Sequence, residues 1–271
     1  MPGARRRVPV ALTVAGSDPC GGAGIQADLK TFCAFGVYGE AVLAALTAQN
    51  TRGVRGVHPV PPDFVASQIE AVLEDIPPGG IKTGMLASAG VVEAVARALR
   101  GRRRGHLVVD PVMVSSSGDL LLERDAIEAL KALLLPLAVL VTPNGPEAEV
   151  LTGVAVEDER TAKEAGRRLL ALGAGAVLVK GGHGRGPRVL DLLVERDRVT
   201  RFVRGRIATT STHGTGCTLS AAVAAGLARG RTLRRAVADA VDFVHRAIAR
   251  APHLGRGRNR PVNHLVPAVR R

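Results

Sequence analysis

A chain of 271 residues, 46% of them hydrophobic, can bury a sizeable core, and this excludes a disordered polymer. Only 2% of the residues are aromatic, with no Trp and one Tyr (Tyr38), which disfavours a nucleic-acid platform of stacked rings. The formal charge is +13, but the arginines (Arg5, Arg6 and Arg7; Arg100 and Arg102 to Arg104; the run from Arg256 to Arg271) punctuate the chain between apolar segments, so the spacing predicts a solvated basic surface that attracts anions, not a groove-reading element.

In chain order, residues 8–15 form an apolar run that ends in glycine and reads as a buried strand. A glycine-rich loop over 16–24 follows, then helical spacing over 25–35 with Gly36 as a stop. Residues 40–48 fit a strand or a helix. The pattern predicts helices over 62–74, with Pro62 at the start, and over 91–99, and short strands over 80–83 and 106–109. Beyond these it predicts a helix over 124–135, a strand over 137–141, a helix over 161–172 and a strand over 176–179. A β-hairpin over 189–194 and 200–203 precedes two alanine-rich helices over 218–227 and 233–249. Alternating strands and helices argue for one α/β domain spanning 1–271, with a doubly wound, mainly parallel sheet covered on both faces. Ligands in such sheets bind beyond the carboxyl ends of the strands, where Gly16, Lys82, Asp110, Asn144 and Lys180 all fall.

Cys20, Cys33 and Cys217 form no CxxC pair and no zinc spacing, a usage that fits the reducing cytoplasm. No signal-peptide pattern appears, and the longest charge-free run, 207–228, has too few apolar residues for a membrane span. GxxxxGK[ST] and the protein-kinase loops are absent, and residues 21–24 do not match GxGxxG.

The strongest chemical signal is the glycine turn His213, Gly214, Thr215, Gly216, Cys217 opening an alanine-rich helix. Glycines let successive N–H groups converge, and the helix N-terminus adds partial positive charge, which suits a phosphoryl group in transfer. An ordinary turn before a helix has the same pattern. A thiol in a first helical turn is expected to have a lowered pKa and to act as general base for a hydroxyl, although a small buried cysteine also fits. Asn144 and Glu147 can hold Mg²⁺ near nucleotide phosphates, or simply cap a helix. Asp110 ends a strand as a turn residue or a ligand, and Lys180 is a phosphate contact or a solvated lysine.

The order of these motifs resembles the ribokinase-like superfamily, and within it the hydroxymethylpyrimidine/phosphomethylpyrimidine kinases. The matching runs are AGSDP (15–19), GGAGIQADLKT (21–31), TAQNT (47–51), KTGML (82–86), DPVM (110–113), SGD (117–119), TPN (142–144) with Glu147 and Ala148, KGGH (180–183) and THGTGC (212–217). The resemblance implies a usually dimeric fold that uses ATP and Mg²⁺. The implied reaction phosphorylates 4-amino-5-hydroxymethyl-2-methylpyrimidine and then takes its monophosphate to the diphosphate for thiamine biosynthesis. By motif position, Gly16, Asp28, Gln49, Met85 and Cys217 surround the pyrimidine. Asn144, Lys180, Thr212 and His213 serve the nucleotide, Asp110 and Glu147 the metal, and Gly214 to Cys217 the anion hole.

The physical reading of these residues agrees. An amide such as Gln49 matches an aminopyrimidine edge, and Met85 is a soft surface for a flat ring; a surface polar residue and a core filler are the plain alternatives. Two departures are local: Gly145 replaces a larger apolar residue, and Ser115 and Ser116 occupy a position that often holds lysine. A pyridoxal or pyridoxine kinase is the alternative enzyme. A non-catalytic, nucleic-acid-binding scaffold is disfavoured by the intact Asn144, Glu147, Lys180 and Cys217.

Overall fold

In the computed structural model the described residues are 8–101, 106–113, 123–182 and 186–268. Ser115 to Asp119, Arg102 to Arg104, His183 and the terminal arginines 5–7 and 270–271 lie outside them. The chain runs β1 (Val10–Ser17), α1 (Gly24–Ala34), β2 (Tyr38–Asn50), β3 (Gly53–Pro59), α2 (Pro62–Asp75), β4 (Gly80–Thr83), α3 (Ala89–Leu99) and β5 (His106–Val109). It continues with α4 (Arg124–Ala129), β6 (Leu140–Val141), α5 (Gly145–Thr152), α6 (Glu159–Ala171), β7 (Val177–Val179), β8 (Arg188–Val194), β9 (Val199–Gly205), α7 (Thr215–Ala228) and α8 (Leu233–Ala249).

The strands form one sheet in the order β3-β2-β1-β4-β5-β6-β7-β8-β9. Strands β2, β1, β4, β5, β6 and β7 run parallel, while β3 on one edge and β8 and β9 on the other are joined by antiparallel pairing. The direction of winding reverses between β1 and β4, which opens a crevice at their carboxyl ends. Strand β1 is buried on both faces. Leu12 and Val14 join a core with α2, α3 and α6, and Ala11 joins the opposite core with α1, α7 and α8.

Helix α7 is buried nearly all round, and its alanines are what let it lie so close. Gly80 of β4 packs against the Ala224 backbone, and Gly226 against Ala236 of α8. Phe35 meets Phe243 edge-on at 5.2 Å between ring centroids, a pairing worth about 0.5–1.5 kcal/mol beyond burial.

One open reading is settled and two change. Residues 40–48 are strand, and β2 turns at Thr51 into β3, which the pattern did not reveal because its side chains are largely exposed. The helix expected over 124–135 passes from α4 into a π turn (Leu130–Leu134) and a 3₁₀ turn (Leu135–Leu137), where Pro136 lacks an N–H to continue the helix; β6 is correspondingly short. Asn144 opens a short helix, α5, not foreseen as an element.

Candidate active site

A cavity of about 540 Å³ lies over the crevice. Gly16, Lys82, Asp110, Asn144 and Lys180 all line it, because each follows or ends a parallel strand. Thr212 to Cys217 close it from the side of α7.

Gly214 is the N-cap of α7 at φ 80°. A Cβ there would overlap the Gly22 carbonyl oxygen, so only glycine fits both the conformation and the approach. The Thr215 N–H turns back to the Thr212 carbonyl at 3.3 Å. The following N–H groups, of Gly216 and Cys217, begin the helix without an intrahelical acceptor, on residues that line the cavity. Behind them, Thr218 donates to the Gly214 carbonyl at 2.8 Å and meets His264 Nε2 at 2.9 Å, which braces the turn.

At one end of the cavity Lys180 binds Asp110 at 2.9 Å and lies 3.7 Å from Glu147. Asp110 also accepts from Thr142 at 3.1 Å and from Ser220 at 3.1 Å. Burial opposes its charge, but Lys180 and Lys82 outweigh that and hold its carboxyl below the usual range. Glu147 is pushed up to about 7, first by burial and then by Asp110, with Lys180 opposing. Asn144 and Glu147 form a reciprocal capping box, each backbone N–H donating to the other's side chain at 2.8 Å. The capping reading of these two residues therefore holds, and it also fixes the Glu147 carboxylate beside Asp110. Two hard oxygen donors that repel each other across a water-accessible cavity suit a divalent cation such as Mg²⁺.

Cys217 stands in the first turn of α7. The lowered thiol pKa expected from that position is corrected. Burial raises it to about 11; Lys82 opposes, and the Asp28 and Asp110 carboxylates add to the rise. The resting group is a thiol. It can act as a base only after losing that proton, which an entering cation would favour.

Asp28 is also corrected. It is fully buried, accepting from Thr13 at 2.6 Å and from Lys82 at 2.8 Å, and does not face the cavity. Burial works against the Lys82 ammonium, but Asp28 more than compensates and keeps it charged. The lysine was visible in sequence as a charge inside an apolar strand; its partner, 54 residues away, was not.

At the opposite end Gly16 and Met85 face each other, so closely that a Cβ on Gly16 would displace the Met85 methyl. Gln49 reaches in from β2, its Oε1 accepting from Thr47 at 3.3 Å and its Nε2 lying 3.4 Å from His213. The structure places His213 here, not beside Lys180: its Nε2 lies 2.8 Å from Asp18 Oδ2. The same carboxylate oxygen accepts from the Gly22 and Ala23 N–H groups at 3.1 and 2.9 Å. Asp18 thereby organises the glycine-rich loop and orients His213, a role that sequence distance concealed. Asp18, Cys20 and His213 present potential ligand atoms within 4.8 Å of one another. Hydrogen bonds already occupy that carboxylate oxygen.

A glycine turn at a helix N-terminus, a lysine on two carboxylates and a thiol above the switch point of a parallel sheet define a ribokinase-like phosphotransferase. The chain belongs to the phosphomethylpyrimidine kinase family, which it matches over residues 18–263. It is similar to the thiamine biosynthesis bifunctional protein ThiED of Geobacter sulfurreducens, 54% identical over 95% of this chain; the chain spans 52% of that protein. The hydroxymethylpyrimidine/phosphomethylpyrimidine kinase of Rhizobium meliloti is 50% identical over 94% of this chain and 97% of its own length. Among solved structures, the pyridoxal kinase from Staphylococcus aureus in complex with AMP-PCP and pyridoxal has a TM-score of 0.88 at 33% identity, covering 96% of this chain and 94% of that one. Family membership implies ATP as co-substrate.

Proposed function

We propose that this enzyme transfers the γ-phosphoryl group of ATP to 4-amino-5-hydroxymethyl-2-methylpyrimidine and then to the resulting monophosphate, supplying the diphosphate for thiamine synthesis. The observation that carries the reading is the single cavity that holds Gln49 and Met85 at one end, Lys180, Asp110 and Glu147 at the other, and the Gly214 to Cys217 turn between them. The pyrimidine lies against Met85 and Gly16 with its amino edge toward Gln49. The polyphosphate lies toward Lys180, and Asp110 and Glu147 would hold Mg²⁺, which would supply charge neutralisation for it. The backbone N–H groups of the glycine turn receive the charge that develops on the transferred group, and Cys217, after giving up its own proton to solvent, takes the proton of the attacking hydroxyl as a thiolate.

We further propose that the enzyme works in the cytoplasm; no helix among the described residues is long and apolar enough to cross a membrane. It works as a homodimer and as one catalytic domain. Exposed Tyr38, Leu46 and Val57 at the β2–β3 edge support pairing of a second copy there.

The pyridoxal-bound structural relative favours one second reading, a pyridoxal kinase. ATP consumption with each pyrimidine and with pyridoxal separates the two. Turnover on both pyrimidines supports the proposal, and turnover on pyridoxal alone overturns the substrate and keeps the chemistry.

A further inference from the structure

Asp191 is a cavity-lining carboxylate with no part in the chemistry above. It sits in β8, where side chains alternate between faces. Leu193 on its face enters the core with α7 and α8, and Val189 and Asp191 face the cavity. Asp191 Oδ1 accepts from the Gly181 N–H at 2.9 Å, and Oδ2 has no hydrogen bond among the described residues. Burial pushes the carboxyl up, while the Gly181 N–H, Lys180 and Arg204 oppose.

Its surroundings divide in two. Toward the strand ends lie Lys180 and Gly182, at the cationic part of the cavity. The lining also holds an apolar recess of Val189, Ile207, Val241, Val244 and Ile248, edged by Arg204, Arg206 and His245. A carboxylate in such a lining repels phosphate oxygens and needs donors. A nucleotide with its base in the recess and its phosphates at Lys180 offers two donors at that point, the hydroxyls of its ribose.

We infer that Asp191 Oδ2 accepts a hydrogen bond from the ribose 2′- or 3′-hydroxyl of the nucleotide and makes the enzyme select ribonucleotides over deoxyribonucleotides. The Gly181 N–H holds Oδ1, which fixes the carboxylate and couples ribose recognition to the loop that carries Lys180. The inference rests on the proposed placement of the nucleotide at the Lys180 end.

The test is calorimetric binding of ADP, 2′-deoxy-ADP, 3′-deoxy-ADP and inosine diphosphate to the wild type, Asp191→Asn, Asp191→Ala and Lys180→Ala, with thermal unfolding as the folding check. The wild type should bind ADP about tenfold more tightly than at least one deoxy form, and Asp191→Ala should shrink that ratio to about twofold or less. Asp191→Asn keeps an acceptor for the Gly181 N–H, so a reduced ratio in that variant separates ribose contact from loop support. An equal loss for all four nucleotides would overturn the inference and leave Asp191 as a brace of the loop. A change confined to the comparison of ADP with inosine diphosphate would overturn it too, since the partner would then be the amino group of the base. ADP binding unchanged by Lys180→Ala would instead overturn the placement of the nucleotide, and the ribose contact with it.

Discussion

Two lysine–aspartate pairs flank Cys217, and they are built for different ends. Lys82 and Asp28 are 2.8 Å apart with both side chains at 0% exposure. Lys180 and Asp110 are 2.9 Å apart, but Lys180 is 13% exposed, lines the cavity and is shared with Glu147. The first pair is sealed from solvent: Lys82 borders the cavity, but Asp28 does not line it and its Oδ1 has no hydrogen-bond partner. The second can exchange partners, since an entering phosphate or cation replaces one contact with another. Exposure and shared partners therefore set the two pairs apart, although they share residue types and nearly the same distance.

The largest effect that tests this contrast is on folding. Lys82→Met strands Asp28 as an unpaired buried charge and should cost about 3–5 kcal/mol, read from urea unfolding. Adding Asp28→Leu should recover most of that loss. A single variant as stable as wild type would mean the pair is not sealed.

Lys180→Ala should leave the chain folded and reduce turnover on both pyrimidines by roughly 10²–10³-fold, the scale of a lost transition-state charge contact. Equal effects of the two lysines on stability, with no difference in turnover, would remove the distinction. Cys217→Ala should slow phosphorylation of the alcohol by about 10²-fold and the second step much less, because a phosphate oxygen needs no base. Separate rates for the two substrates check this.

The smallest effect concerns the brace behind the glycine turn. The pKa of His264 falls to about 4, through burial and then the charges of Lys30 and His213, against an ordinary 6.5. The unfolded chain therefore takes up the proton first. The contribution of His264 is whole above pH 6.5 and is lost as pH falls from 6.5 toward 4. His264→Gln should flatten the fall of the unfolding midpoint in that window relative to wild type, and parallel curves would refute the assignment.

Much of this fold was legible because a strand buried on both faces reads as an uninterrupted apolar run. The strand spans 80–83 and 106–109 match as read, and the glycine turn before α7 lies where the motif placed it. What escaped was long-range. Strand β3 carries exposed side chains, so no periodicity marks it. Asp28 was placed at the substrate by the family resemblance alone, yet α1 turns it inward to Lys82. The thiol pKa of Cys217 was read from the helix end alone, whereas the outcome is set by burial and by carboxylates 107 and 189 positions away in the chain (217 − 110 and 217 − 28). Asp191 carried a faint signal, one acid in an apolar strand, and only packing shows that it faces the cavity.

The central claim is that one cavity performs both phosphorylations, and a single time course tests it most directly. Wild-type enzyme with ATP, Mg²⁺ and hydroxymethylpyrimidine is followed by phosphorus NMR. The account predicts that the monophosphate rises, falls and is replaced by the diphosphate, with Lys180→Ala suppressing both phases. A monophosphate that accumulates without conversion, or a second phase untouched by Lys180→Ala, would contradict it.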